Sequence, residues 1–230
     1  MSRVIHQHFI IHKPYGYLSQ FVHNMSKRKN KKLLGELGDF PEQTMAIGRL
    51  DENSEGLLLL TTDGSVSEYI RSSSIEKEYH VEVAGIPTDQ AIKILQEGVL
   101  LTIEGVPYTT KPCQAIRLKT LPTFETPLRK VRGESHGPSS WLSITLTEGK
   151  NRQVRKMTAA VGFPTLRLIR VRIGTILLDE PVVIWRTSDS TPYAMRDLCI
   201  HRGTALSLGW VENDCLVCPY HAWQYNKEGA

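Results

Sequence analysis

Residues 48–64 read GRLDENSEGLLLLTTDG, and this stretch decides the fold. Gly56-Leu57-Leu58-Leu59-Leu60-Thr61 is a short apolar run bounded by turn-forming residues. That pattern predicts a strand buried on both faces, so the leucines belong to the core. Asp63-Gly64 ends the strand, and Ser65 to Arg71 predict the start of a helix. Asp51 stands in the polar loop just before the strand. A carboxylate at the end of a rigid core strand is well placed to work in a cleft. Burial without a positive partner would weaken it as an anion.

Working outward, residues 9–22 predict a strand, a turn at Lys13-Pro14-Tyr15-Gly16 and a second extended piece. KEYHVEVA, residues 77–84, alternates and predicts a strand. Thr88 predicts a helix cap over residues 89–97, with Gly98 as the stop. Residues 99–120 predict β-structure with a turn near Gly105. Residues 122–140 are rich in Pro, Gly, Ser and charge and predict a long polar loop. Residues 141–146 alternate again. Asn151 predicts a cap for a helix carrying Val154, Met157, Ala160 and Val161 at helical spacing, ended by Gly162. A further strand is predicted at 166–172. Strands outnumber helices and no βαβ rhythm is sustained. The expected class is α+β: a mixed, largely antiparallel sheet with flanking helices and a cleft.

The 230 residues allow one good-sized domain, or one domain plus a small appendage. Apolar content of 40% and charged content of 23% are those of ordinary globular chains. No apolar run is long enough to span a bilayer and no secretory signal is read, so a cytoplasmic protein with no membrane partner is expected. The net charge of +4 is uneven. Residues 181–230 hold four Lys/Arg and five Asp/Glu, so the basic character lies in residues 1–180. Its densest cluster is Lys27, Arg28, Lys29, Lys31 and Lys32, which suits either a solvated loop or a nearby phosphate backbone. Arg155, on a helix whose other side is core, is a candidate partner for Asp51. A structural salt bridge would use the same residue types.

The wording of three segments goes further. IHKPYGYLSQF, GRLDENSEGLLLLTTDG and EGKNRQVRKM followed by TAAVGFPTLRLIRVRIG resemble the pseudouridine synthases, in the family that includes the ribosomal small-subunit synthase A and the large-subunit synthases E and F. The resemblance covers about residues 6–178. It implies that Asp51 is the essential carboxylate, acting at the sugar C1′ as the glycosidic bond breaks. Tyr79 matches the tyrosine that packs on the uracil and takes the C5 proton. Arg155 matches the arginine that pairs with the aspartate and keeps it ionised, and Val154 an apolar residue of the base pocket. Arg49 and Lys77 match basic positions that serve positioning or RNA contact, with surface charge as the alternative. The implied reaction flips a uridine out of its stack, breaks N1–C1′ and rejoins the base through C5, with no cofactor. The opening strand leaves no room for an S4 domain before it. The wording looks most like the large-subunit synthase E type, which implies a uridine in the large ribosomal RNA as substrate; a monomer is expected. Lys27 and Arg28 then become phosphate-contacting candidates.

From about residue 180 the chain departs from that family. Cys199-x-His201 is followed, after sixteen residues, by Cys218-x-x-His221. Two Cys and two His are the ligand set of a Rieske [2Fe-2S] centre, with a structural zinc site as the alternative. CIHRGTALSLG and CPYHAWQY resemble the two cluster loops of Rieske domains from ring-hydroxylating oxygenases. Ile200 stands where Pro is usual and Ala222 where Gly is usual. Two domains are therefore expected, a synthase over 1–179 and a partial Rieske domain over 180–230, with a possible [2Fe-2S] cluster in the second. Oxygenase activity is not expected. Two other readings stay open: an iron–sulfur protein whose first part only binds RNA, or an inactive fusion.

Overall fold

The structure, a computed structural model, describes residues 6–23, 30–72, 74–124, 137–178 and 180–229. It divides into two units, Met1–Gly174 and Thr175–Ala230. Lys27 and Arg28 lie outside the described residues, as does most of the predicted polar loop at 122–140.

In the first unit the strands are β1 (His8–Lys13), β2 (Tyr17–Leu18), β3 (Lys32–Leu33), β4 (Met45–Ile47) and β5 (Glu55–Thr61). After helix α1 (Gly64–Ser72) come β6 (Lys77–Ala84), helix α2 (Asp89–Glu97), β7 (Leu100–Ile103), β8 (Val106–Thr109), β9 (Gln114–Arg117) and β10 (Ser139–Leu146). Helix α3 (Gln153–Ala160) and β11 (Thr165–Ile173) complete it. The main sheet runs β1-β5-β11-β6-β10-β9, with β4 also paired to β5. Only the β5–β11 pairing among these is parallel. The expected α+β class with a mixed, largely antiparallel sheet is what the chain forms.

The leucine run is buried along its whole length. Leu58 and Leu60 pack with Leu34, Phe9, Ile11, Phe21 and Phe40 on one side, and alternation sends Leu57 and Leu59 to the other. A larger core joins Val81 and Val83 of β6, Leu142 and Ile144 of β10, Leu95 of α2 and Met157 of α3. Thr88 caps α2 by accepting from the Ala91 amide at 3.2 Å, and Gly98 ends it with φ 121°.

The strand edge of β5 is split. Leu59–Thr61 pair with β4, whereas Glu55 and Gly56 pair with β11. The loop 48–54 leaves the sheet where β4 gives way to β11, which opens a crevice there. Gly56 permits the close approach: its φ is 104°, and a Cβ would lie 2.3 Å from the Arg170 carbonyl oxygen. Strand β11 carries register shifts between Thr165 and Arg167 and between Arg170 and Arg172. Bulges of this kind break simple alternation and re-aim side chains. Arg167 thus forms a bidentate pair with Glu55 at 2.9 and 2.7 Å, while Arg172 holds Glu78 at 2.9 Å.

One sequence expectation fails locally. Asn151 does not cap α3; the cap position is Arg152, with φ 52° and ψ 32° and no side-chain cap bond. The turn is closed instead by Gln153, whose amide donates to the Lys150 carbonyl at 3.1 Å and whose side-chain oxygen accepts from the Lys150 amide at 2.9 Å.

The second unit has β12 (Ile176–Leu177), a hairpin of β13 (Val182–Arg186) and β14 (Pro192–Arg196), and a small sheet of β15 (Trp210–Glu212), β16 (Cys215–Val217) and β17 (Gln224–Tyr225). Asn213 and Asp214, both with positive φ, turn β15 into β16, as two-residue hairpins require. Its core is small: Val183, Trp185, Leu206, Leu216 and Tyr225 pack around Cys199 and Cys218.

Candidate active site and candidate metal centre

The loop carrying Asp51 is pinned from several directions. Ser19 brackets Leu50, donating to its carbonyl at 2.8 Å and accepting from its amide at 3.0 Å. Gly16 donates to the Glu52 carbonyl at 2.8 Å, and Ser54 to the Asp51 carbonyl at 3.0 Å. Lys13, fully buried, anchors the neighbouring turn by donating to Pro14 and Tyr17 carbonyls at 2.9 and 2.8 Å. Burial pushes its ammonium down to about 8, against the pull of Glu55, Asp51 and Glu52. These bonds present Asp51 at the mouth of a cleft of about 480 Å³.

Tyr79, Val154, Arg155 and Arg49 line the same cleft. Tyr79 comes from β6, is partly buried against the main core and also lines the cleft. Val154 is buried in α3, and Arg49 is exposed at the rim. Lys77 is not among the lining residues; its ammonium donates to the Ile75 carbonyl at 2.8 Å. Burial first, and then the Arg170 charge, hold it below the ordinary lysine range.

Arg155 meets the Asp51 loop through its backbone. Its Nη2 donates to the Asn53 carbonyl at 2.6 Å and reaches Ser54 Oγ at 3.4 Å. Burial and the nearby Arg152 lower its guanidinium, opposed by Asp51, Tyr15 and Glu55. The carboxylate's own ion pair is with Arg152, Nη1 to Oδ2 at 3.6 Å. Sequence reasoning passed over Arg152, because nothing in EGKNRQVRKM distinguishes its arginines before the turn geometry is known. Glu148 was missed as well. It accepts from the Lys111 amide at 3.0 Å, and also from Tyr108 Oη and Gln153 Nε2.

In the second unit the four predicted ligands come together as two pairs. Cys199 and Cys218 are buried in the same small core, and the Tyr225 hydroxyl donates to Cys199 Sγ at 3.1 Å. Burial raises the Cys199 thiol, but the bonds from Tyr225 and the His201 backbone outweigh it and leave the thiol below its ordinary value. The His201 and His221 rings are exposed, with centroids 4.7 Å apart. Among the described residues no three His, Cys, Asp or Glu side chains gather about one point. A buried thiol pair and an exposed imidazole pair suit a two-iron group, with one iron on sulfur and one on nitrogen. When bound, such a group supplies one-electron transfer.

Residues 7–160 match the RNA pseudouridylate synthase family model, and residues 170–230 match that of the Rieske [2Fe-2S] domain. The chain is 44% identical over 184 residues to a ribosomal large subunit pseudouridine synthase E of Xanthomonas campestris, covering 79% of this chain and 95% of that one. A synthase of the same name from Vibrio parahaemolyticus is 38% identical over 175 residues, 74% of this chain and 68% of the other. A solved pseudouridylate synthase superposes with a TM-score of 0.59 at 27% identity, over 76% of this chain and 66% of that one. Fold, cleft and these likenesses together show that the chain belongs to the RNA pseudouridylate synthases, enzymes that isomerise uridine in RNA.

Proposed function

We propose that the chain converts a uridine of large-subunit ribosomal RNA to pseudouridine in the cleft around Asp51, without a cofactor. The observation that carries this reading is the convergence of Asp51, Tyr79, Val154 and Arg155 on one cleft. A flipped uridine lays its uracil against Tyr79 and Val154. Asp51 acts at C1′, where positive character develops as N1–C1′ breaks. The freed base turns in the pocket and bonds to C1′ through C5. The Tyr79 oxygen takes the C5 proton as its own hydroxyl proton passes to solvent, and N1 takes a proton from solvent, so composition is unchanged. Arg155 keeps the 51–54 loop in place, and Arg49, Lys27 and Arg28 meet phosphate. Residues 1–179 act as this catalytic domain, in the cytoplasm and as a monomer. No helix among the described residues is long and apolar enough to cross a membrane.

The names of the Xanthomonas and Vibrio relatives support the large-subunit substrate. Protein-free large- and small-subunit RNAs, mapped for pseudouridine by carbodiimide and primer extension, test it. A new stop in large-subunit RNA alone is expected. Modification of small-subunit RNA only would reassign the substrate.

A second reading concerns residues 180–230, and the paired thiols and paired imidazoles favour it. Cys199 and Cys218 would hold one iron of a [2Fe-2S] group, and His201 and His221 the other. Anaerobic reconstitution should give about two irons per chain, lost in Cys218→Ser. Ala222 holds φ 55° in the second loop, a conformation that costs a side chain roughly 1 kcal/mol relative to glycine. Ala222→Gly should therefore slow iron loss. Iron content no higher than in Cys218→Ser would reject the second reading.

A further inference from the structure

Arg152 occupies a left-handed backbone position, φ 52° and ψ 32°, where glycine would be the comfortable choice. A non-glycine residue persists there only when its surroundings fix it. Here they do. Gln153, almost fully buried, closes the turn onto both backbone groups of Lys150. Glu148 grips Gln153 from below and is itself held by Tyr108 and the Lys111 amide. The result aims the Arg152 guanidinium at Asp51, 3.6 Å from Oδ2. The side chains are 46% and 32% exposed, so solvent screens the pair and it adds little to stability. A strained residue that contributes little to the fold calls for another use.

We propose that Arg152 is a positioning residue for the isomerisation, held by the Glu148–Gln153 clamp so that its guanidinium fixes the Asp51 carboxylate toward the sugar. Arg155 secures the loop backbone, and Arg152 secures the reacting group. The inference rests on the assignment of Asp51 as the catalytic carboxylate.

The test compares Arg152→Gly, Arg152→Gln and Arg152→Lys with wild type and Asp51→Asn, measuring RNA affinity and single-turnover pseudouridine formation separately. Arg152→Gly should melt no lower than wild type, since it relieves the left-handed strain. Both Arg152→Gly and Arg152→Gln should lose about 10- to 100-fold in the chemical step with affinity within about threefold, the scale of misplacing a catalytic group. Arg152→Lys should recover most of the rate. If Arg152→Gln keeps the full chemical rate, or loses only affinity, the residue is a surface or phosphate-contacting charge and the inference falls. Should Arg152→Gly fail to fold, the Gln and Lys pair decides alone. An Asp51→Asn protein that retains its rate would instead sink the assignment of Asp51 itself.

Discussion

Asp51→Asn should abolish pseudouridine formation, lowering the single-turnover rate by at least about 10³-fold while RNA still binds. Asparagine keeps the shape of the side chain but carries no charge and is a poor nucleophile. Any action at C1′ that depends on the anion is therefore lost. The fold should be little affected. The Asp51–Arg152 pair is partly exposed at 3.6 Å, and such pairs contribute up to about 1 kcal/mol. The loop is held by Ser19, Gly16, Ser54 and Arg155 through backbone atoms that the substitution leaves in place. Affinity should hold or rise slightly, because a negative charge near phosphate has been removed. A melting temperature close to wild type with a dead chemical step is the expected pair of results. Residual activity within about tenfold of wild type would move the chemistry to another residue.

Gly56→Ala should severely destabilise the fold of the first unit. The added Cβ would lie 2.3 Å from the Arg170 carbonyl oxygen and 2.8 Å from its nitrogen, both backbone atoms in the facing strand. No side-chain movement relieves that clash, so β5 and β11 must separate at their one parallel contact. The positive φ adds its own penalty of about 1–2 kcal/mol. With overpacking of about 1–3 kcal/mol the total reaches roughly 2–5 kcal/mol, a large part of the 5–15 typical of a folded domain. Urea unfolding followed by Trp141 fluorescence or circular dichroism measures it. The effect extends to chemistry. Separating these strands loosens the Arg167–Glu55 pair and the Arg170 bond to the Leu57 carbonyl at 2.7 Å, at the root of the Asp51 loop. A Gly56→Ala protein as stable as wild type would contradict the packing described here.

Much of this was legible in the sequence because local signals agree with the tertiary result. The unbroken leucines of β5, the alternation of KEYHVEVA and the Thr88–Gly98 punctuation each act within a few residues, and each element forms where expected. The cleft residues Asp51 and Tyr79 were legible through motif wording. Lys13 was not recognised as core, since a lysine beside proline reads as a surface turn. Its burial depends on two carbonyls that only the folded turn offers. Arg152 escaped notice for a similar reason. Its direction is set by Glu148, Gln153 and Tyr108, and Tyr108 lies far away in the chain. The β11 bulges hide the roles of Arg167, Arg170 and Arg172, because a shifted register breaks the alternation used to assign faces. In the second unit the ligand spacing was plain, but the division into buried thiols and exposed imidazoles follows from Val183, Trp185, Leu206 and Leu216 closing around the sulfurs.

Isomerisation by side chains of the first unit's cleft requires exchange of the uridine C5 proton without iron. Tritium release from RNA labelled at uridine C5 reads that exchange, using chain stripped of iron with chelator, with the RNA mass read in parallel. Tritium release in step with pseudouridine formation is expected, at the same rate with or without iron, with RNA of unchanged length and composition. No release from the stripped chain when the iron-loaded chain is active, or release of free uracil, would contradict it.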